Sequence, residues 1–181
     1  MGKRICVVGA GYWGKNHIQT LFHMGCLGGV VELDKNILES ISKSYDGIKI
    51  YSNLEESFKD SYDGYIIATP AETHFELSKK IISLGYSVLI EKPMALSIED
   101  AIEIKSLSEE KNVNVMVGHV LLFHPAIKKI REIINNNKIG NLQYIYSNRL
   151  NLGKIRTEEN VFWSFAPHDI CLLYTSDAAD D

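Results

Sequence analysis

Residues 4–14 read Arg-Ile-Cys-Val-Val-Gly-Ala-Gly-Tyr-Trp-Gly. The apolar run 4–8, which contains several β-branched residues, ends at Gly9 and is typical of a buried strand. A helical pattern over 13–24 follows directly. The glycines therefore form a G-x-G-x-x-G turn between a strand and a helix.

Each glycine of this turn has a distinct expected task. Gly9 permits the tight turn, Gly11 lets the backbone approach a diphosphate, and Gly14 lets the helix pack closely on the strand. The helix N-terminus adds N–H groups and a positive dipole end. Tyr12 and Trp13 open the helix beside the glycines. We expect all five residues to contact a dinucleotide cofactor.

An acidic strand end follows the glycine turn at the distance that a dinucleotide site requires. Glu32 and Asp34 lie at the end of the predicted second strand, about 20 residues beyond the turn. A carboxylate here accepts hydrogen bonds from the adenosine ribose hydroxyls and repels a 2′-phosphate, which favours NAD over NADP. Periodicity leaves open which carboxylate points inward. Lys35 lies nearby and could tolerate a phosphate, so NADP stays open as the less favoured cofactor.

Short apolar runs alternate with helical patterns as far as residue 118. Strands are predicted over 4–8, 29–33, 48–51, 65–68, 87–90 and 113–117. Helices are predicted over 13–24, 36–45, 54–59 and 73–84, with a further one opening at Ser97. This alternation predicts an α/β fold, a Rossmann-type doubly wound parallel sheet with helices on both faces, over residues 1–118.

The pattern changes after residue 118. An amphipathic helix is predicted over 125–135 and an alternating, antiparallel type of strand over 141–152. Residues 119–170 therefore read as the start of an α+β domain, mainly antiparallel, that is too short for a core of its own. Residues 171–181 resemble the translation of a sequencing adaptor, and we expect them to be a non-native tail.

Composition excludes several classes of function. The formal net charge of -4 and the pI near 5.9 provide no basic surplus for a nucleic-acid partner. The three cysteines and six histidines have no metal-ligand spacing, so no metal is expected. No apolar run approaches the ~20 residues that a membrane span needs. The expected location is the cytoplasm.

Two further predicted strand ends carry polar residues. Residues 68–74 read Ala-Thr-Pro-Ala-Glu-Thr-His, and residues 91–93 read Glu-Lys-Pro. Ligands of open α/β sheets bind at the carboxyl ends of the strands, so both segments are expected to face the same crevice as the glycine turn. Taken singly, each could be an ordinary strand-to-helix turn. Their combination with the glycine turn is the specific signal.

That combination resembles the glucose-fructose oxidoreductase, inositol dehydrogenase and MocA family of NAD-dependent oxidoreductases, over essentially residues 1–170. The resemblance implies that Lys92 is a catalytic lysine close to the nicotinamide and substrate. It selects Glu32 as the ribose-binding acid. It also implies that residues after the two strands position the lysine or shape the cofactor pocket, namely Thr69, Pro70, His74, Glu91 and Pro93.

Beyond residue 118 the motifs resemble the nucleotide-sugar branch of that family. The matching segments are Gly118-His119, Phe123-His124-Pro125, Asn148-Arg149 and 156–170, which contains Pro167-His168-Asp169. Members of this branch oxidise the C3 hydroxyl of UDP-N-acetylglucosamine or of its uronic acid, in routes to surface polysaccharides. The resemblance makes a nucleotide sugar the expected partner and the full-length protein a homo-oligomer.

The same resemblance implies roles for residues of the second domain. His168 matches the family's active-site histidine and would share the hydroxyl proton with Lys92. The family often has Asp four residues earlier, where this chain has Ser164, which leaves Asp169 as the alternative acid. Arg149 and Arg156 would pair with a substrate diphosphate, although surface salt bridges are an equal alternative. Structural roles are favoured for the remaining histidines at 17, 23, 119 and 124.

Two alternatives to this function stay open. The first is the same oxidation on another sugar or on an inositol. The second is a non-catalytic, dinucleotide-binding regulator on the same fold. Because most of the second domain's sheet is expected to be missing, catalysis by the 181 residues alone is expected to be impaired.

Overall fold

The computed structural model describes residues 2–148 and 161–174. The chain divides into two compact units, Met1–Gly118 and His119–Asp181. Arg149 and Arg156 lie outside the described residues. Within the described part, every helix is too short or too polar to cross a lipid bilayer.

The first unit contains a six-stranded parallel sheet in the order β3-β2-β1-β4-β5-β6. This confirms the predicted Rossmann-type α/β fold. The strands are β1 Ile5–Val8, β2 Leu27–Val31, β3 Lys49–Tyr51, β4 Gly64–Ile67, β5 Ser87–Ile90 and β6 Val115–Val117. The helices between them are α1 Tyr12–His23, α2 Lys35–Ser44, α3 Leu54–Ser57, α4 His74–Ser83 and α5 Ile98–Lys111.

Both faces of the sheet are covered by helices, which explains the continuous apolar runs of the strands. Val7 and its neighbours on one face pack with Ile18 of α1 and Ile41 of α2. Cys6, Val8 and the residues beside them on the other face pack with residues of α3, α4 and α5, including Leu54, Ile81, Ile82 and Ile104. Helices α1 and α4 therefore lie on opposite faces.

Several predicted helix limits shift by a residue or two. The predicted helix over 73–84 begins as a short 3₁₀ turn, Ala71–Thr73, before α4. Helix α5 begins after Ser97, whose side chain accepts a hydrogen bond from the backbone N–H of Asp100. It ends at Lys111 and is capped by Asn112, which adopts the left-handed conformation with φ of 51°.

The second unit differs more from the sequence prediction. Its described elements are a 3₁₀ turn at Val120–Phe123, the predicted helix α6 at Pro125–Asn135, and α7 at Val161–Tyr174. The strand predicted over 141–152 is wrong over 141–148, which form no strand. The described residues of this unit offer no neighbouring strand with which it could pair. Residues 149–152 lie outside the described part.

Helix α7 was not predicted. Its last four residues, Cys171 to Tyr174, are the first four of the predicted tail, and residues 175–181 lie outside the described part.

The carboxylate of Asp60 contacts two side chains of β3, at the edge of the sheet. Asp60 accepts a hydrogen bond from the Tyr51 hydroxyl at 2.6 Å and pairs with the Lys49 ammonium. Lys49 and the Tyr51 hydroxyl hold the pKa of Asp60 below its usual range. The Tyr51 oxygen also lies 2.6 Å from that of Tyr62, so the cluster links β3 to the segment before β4.

We expect Asp60→Asn to lower the stability of the chain at neutral pH and to have little effect in acid. A depressed carboxyl pKa in the folded state contributes stability above the unfolded value of about 4, and that contribution is lost as the pH falls through the folded pKa. Urea unfolding midpoints of the two proteins should therefore differ at pH 7 and approach each other as the pH falls below about 4. Asp46→Asn, at an exposed carboxylate, is the control. A gap that stays constant with pH would contradict this account.

Candidate functional site

The turn between β1 and α1 requires glycine at two positions. Gly9 has φ of +91°, and a Cβ there would lie 2.8 Å from the carbonyl oxygen of Ala68. At Gly14 a Cβ would collide with the carbonyl oxygen of Gly9. The first glycine is therefore set by a left-handed backbone and the second by the close packing of α1 on the turn.

Gly11 is different, because a Cβ there would meet no atom within 4 Å. Its φ of -67° is open to any residue, and it precedes α1 without a side-chain cap. The first turn of α1 contains no acidic residue. Tyr12 and Trp13, which are 80% and 41% exposed, meet edge to face beside it. An open glycine at a helix N-terminus is the arrangement that accepts a diphosphate, so this turn fits NAD.

Glu32 is the carboxylate that touches the glycine turn. One of its oxygens accepts a hydrogen bond from the backbone N–H of Ala10 at 2.8 Å. The other accepts from the N–H of Leu33 at 2.7 Å and of Asp34 at 3.1 Å. Asp34 instead caps α2, with its carboxylate accepting from the N–H groups of Asn36 and Ile37. Of these two carboxylates, Glu32 is therefore the one that lies beside the turn.

The segment after β4 is fastened to the segment after β5 by a histidine. His74 is 1% exposed. Its Nδ1 lies 2.7 Å from the carbonyl oxygen of Pro93, and its Nε2 lies 2.9 Å from that of Thr69. The hydroxyls of Thr69 and Thr73 lie 2.6 Å apart, and Thr73 also donates to the carbonyl of Pro70 at 2.7 Å. These contacts give the turn after β4 a defined shape.

The Glu-Lys-Pro segment after β5 is joined to α1. Glu91 Oε1 lies 2.7 Å from Nε2 of His17, and both side chains are largely buried, 15% and 23% exposed respectively. Glu91 Oε2 accepts a hydrogen bond from the backbone N–H of Lys92 at 3.3 Å. Lys92 is half-buried and Pro93 is buried. His17 was not predicted to belong to this site, although it lies one helical turn after Gly14, on the side that packs on the strands.

Backbone hydrogen bonds continue the sheet just past the strand ends. The N–H groups of Gly9, Ala68, Glu91 and Gly118 donate to the carbonyls of Val31, Val8, Ile67 and Ile90, at 2.8 to 2.9 Å. The glycine turn and the segments after β4, β5 and β6 are therefore neighbours along one edge. The candidate residues of the first unit all belong to this edge or to the helices that begin there.

The remaining candidates belong to the second unit. His168 and Asp169 lie in α7, and one oxygen of Asp169 accepts a hydrogen bond from the hydroxyl of Ser147 at 3.2 Å. Ser164 is part of the same helix. Among residues 2–148 and 161–174, no three His, Cys, Asp or Glu side chains are grouped to hold a metal ion.

The fold and the glycine turn define a dinucleotide-binding domain. Residues 3–119 match the model of the Gfo/Idh/MocA family, described as oxidoreductases with an NAD-binding Rossmann fold. The chain belongs to this family, and NAD is its cofactor. It spans about half the length, or less, of the curated relatives that it matches.

Two relatives and one solved structure illustrate the similarity. The UDP-N-acetylglucosamine 3-dehydrogenase of Acidithiobacillus ferrooxidans is 26% identical over 170 residues, 93% of this chain and 52% of that protein. The glucose-6-phosphate 3-dehydrogenase of Bacillus subtilis is 30% identical over 142 residues, 77% of this chain and 40% of that protein. The structure of GenD2 from gentamicin A biosynthesis, in complex with NAD, is 26% identical with a TM-score of 0.70, covering 76% of this chain and 41% of that one.

We expect Gly11→Ala to weaken NADH binding at least about tenfold, or about 1.4 kcal/mol, without changing the thermal unfolding temperature. The added methyl group meets no protein atom but occupies the space through which a diphosphate would approach the backbone. Fluorescence titration with NADH and a thermal melt of the same samples measure the two effects. Unchanged NADH affinity would show that the diphosphate does not approach Gly11.

Gly14→Ala is the matched comparison. Its methyl group collides with the Gly9 carbonyl, so we expect a loss of stability of about 1–3 kcal/mol together with weaker binding. The two variants thus separate ligand contact from helix packing within one turn.

Proposed function

We propose that the chain is the cofactor-binding part of an NAD-dependent dehydrogenase that oxidises the 3-hydroxyl of a UDP-N-acetylated aminosugar to the 3-keto sugar. The substrate would be UDP-N-acetylglucosamine or its uronic acid. The observation that carries the proposal is the extent of the match to a UDP-N-acetylglucosamine 3-dehydrogenase, which reaches over 93% of the chain. The match therefore extends past the dinucleotide-binding unit into the second one.

The proposed cofactor contacts lie along the glycine turn and the adjoining strand ends. The diphosphate would lie on the N-terminus of α1, against Gly9, Gly11 and Gly14, with the rings of Tyr12 and Trp13 at its side. Glu32 would accept hydrogen bonds from the ribose hydroxyls, because it already lies against the turn. Asp34 would contribute mainly by capping α2. Thr69, Pro70, His74, Glu91 and Pro93 would shape the nicotinamide end. Bound NAD supplies the hydride acceptor that alcohol oxidation needs.

The chain's own chemistry in this reaction is the handling of one proton. Lys92 Nζ would take the proton of the 3-hydroxyl while the carbon-bound hydrogen leaves as hydride. His168 would share this proton with Lys92. Asp169 follows it, and the hydrogen bond from Ser147 to its carboxylate supports an orienting role in place of the acid absent at Ser164. The half-buried position of Lys92 supports its assignment, because partial exclusion of water strengthens proton sharing.

Recognition of the substrate is assigned to the second unit. Arg149 and Arg156 would bind the UDP diphosphate, because planar guanidinium groups match phosphate oxygens in pairs. We propose a cytoplasmic, homo-oligomeric full-length enzyme whose partners are small molecules rather than nucleic acid or membranes.

Oxidation of another sugar at the same carbon is the second candidate. It is favoured by the 30% identity to a glucose-6-phosphate 3-dehydrogenase, over a shorter stretch of 142 residues. Both candidates place the oxidation at C3 and differ in the group that the second unit must recognise.

Turnover by a full-length protein containing this chain would distinguish the candidates. NADH formation is followed with UDP-N-acetylglucosamine, its uronic acid, glucose 6-phosphate and myo-inositol, with 2-oxoglutarate present to recycle tightly held cofactor. We expect turnover of a UDP sugar only. Turnover restricted to glucose 6-phosphate or the inositol would reject the UDP-sugar assignment.

We expect Lys92→Ala in that protein to lower kcat about 10²- to 10⁴-fold, the usual contribution of one proton-transfer group, with NADH affinity nearly unchanged. Lys111→Ala, at an exposed lysine of α5, is the control. A non-catalytic regulator would instead bind NADH and oxidise no sugar, and its function would not depend on Lys92.

We expect Glu32→Gln to narrow the preference for NAD over NADP by about tenfold or more. The substitution keeps the shape of the side chain but removes the charge that repels a 2′-phosphate. The ratio of the NADP and NAD dissociation constants measures the effect. Asp34→Asn is the matched control, because Asn still caps a helix and the ratio should stay near that of the unaltered chain. Equal ratios in all three proteins would remove Glu32 from the ribose site.

A further inference from the structure

Two histidines hold the Glu-Lys-Pro segment, and the proposed proton transfer uses neither of them. His17 reaches it from α1 and His74 from α4. These helices cover opposite faces of the sheet, with Ile18 of α1 in one core cluster and Ile81 of α4 in the other. The segment is therefore fixed from both faces at the sheet edge.

The contact from α1 confines the carboxylate of Glu91. One oxygen lies 2.7 Å from His17 Nε2, and the other accepts the backbone N–H of Lys92 at 3.3 Å. Gly118 also lies next to this carboxylate, since a Cβ added there would be 3.0–3.1 Å from the carboxylate oxygens. The carboxylate thus has little room to move, and it fixes the first residue of the segment together with the backbone of Lys92.

The contact from α4 fixes the other side of the lysine. His74 places one ring nitrogen 2.7 Å from the Pro93 carbonyl and the other 2.9 Å from the Thr69 carbonyl. Both partners are carbonyl oxygens, so each ring nitrogen of His74 faces a group that can only accept a hydrogen bond. In a fully buried position this ring joins the backbone after β4 to the backbone after β5.

We propose that His17 and His74 are positioning residues that hold Lys92 in a fixed orientation toward the cofactor. This inference rests on the proposed function, in which Lys92 moves the substrate proton, and it adds the two residues that aim the lysine. Transfer of hydride and proton requires reacting groups placed within a fraction of an ångström. A lysine on a loop reaches that precision only when the loop itself is anchored.

The link through His17 has a second consequence for the same site. Helix α1 begins at the glycine turn and carries His17 about one turn beyond Gly14. One rigid helix therefore sets both the place where the diphosphate would lie and the place of Glu91. The spacing between the two ends of the dinucleotide site is built into α1.

The test follows the Lys92 side chain by NMR in the 181-residue chain labelled with ε-¹³C lysine. The Lys92 signal is assigned by its absence in Lys92→Arg, and its response to NADH is recorded. In His17→Leu and His74→Phe we expect the signal to move toward that of unrestrained lysines and its NADH response to be lost. His17→Gln retains a donor near the Nε2 position and should restore both.

A pair of conservative variants distinguishes the contributions of the two His74 nitrogens. Asn places its amide near the Nδ1 position and can still bond Pro93, whereas Gln places it near Nε2 and can bond Thr69. Because Pro93 belongs to the lysine segment, His74→Asn should restore the Lys92 signal better than His74→Gln. If His74→Phe does not fold, this pair and the His17 variants decide the matter. The proposal would be overturned if the Lys92 signal were the same in His74→Asn and His74→Gln and were also unchanged in His17→Leu.

His23→Gln on α1 and Glu76→Gln on α4 are exposed controls that should leave the lysine signal unchanged. A lower unfolding temperature in His17→Leu and His74→Phe with an unmoved Lys92 signal would overturn the positioning role and leave only a structural one. The proposed function fails separately, when the full-length protein oxidises no UDP sugar. The NMR outcome is independent of that assay, so the two failures can be told apart.

Discussion

The described site depends on the close approach of α1 to the turn that follows β1. A side chain at position 14 would strike the Gly9 carbonyl, and a side chain at position 9 would strike the backbone after β4. These two contacts bring the N-terminus of α1 to the edge where the parallel strands end. The position of the helix then determines where His17 meets Glu91. One packing constraint therefore places both the cofactor turn and the lysine segment.

Two carboxylates stabilise the loops at this edge of the sheet. Glu32 binds the glycine turn to the end of β2, and Glu91 binds the segment after β5 to α1. Both accept backbone N–H groups, which loops at strand ends otherwise leave unpaired. These two carboxylates therefore hold the backbone in place. The space next to Gly11 stays open for a ligand.

The sequence predicted most of the first unit because its signals are local. Apolar runs and the glycine spacing located all six strands and the turn, and the limits of strands and helices shifted by only a few residues. The choice between Glu32 and Asp34 needed the structure, since both follow the strand and only position shows that Asp34 caps α2. The contact between His17 and Glu91 joins residues 74 positions apart, and no periodicity in a single sequence indicates such a pair.

The second unit was predicted less well for a physical reason. A strand such as the one expected over 141–152 exists only when another strand pairs with it, and alternation of side chains does not supply that partner. Helix α7 was not predicted because its apolar residues follow no amphipathic period and because Pro167 lies inside it. Tertiary surroundings therefore decide this region more than local sequence does.

The exposed aromatic pair at the start of α1 gives the glycine turn an optical property. Trp13 is one of two tryptophans in the chain, and its ring is 41% exposed beside the open Gly11. Indole emits in the range where reduced nicotinamide absorbs, so a dinucleotide held there would quench this emission through space. The brightness of this intrinsic fluorophore would therefore report occupancy of the turn.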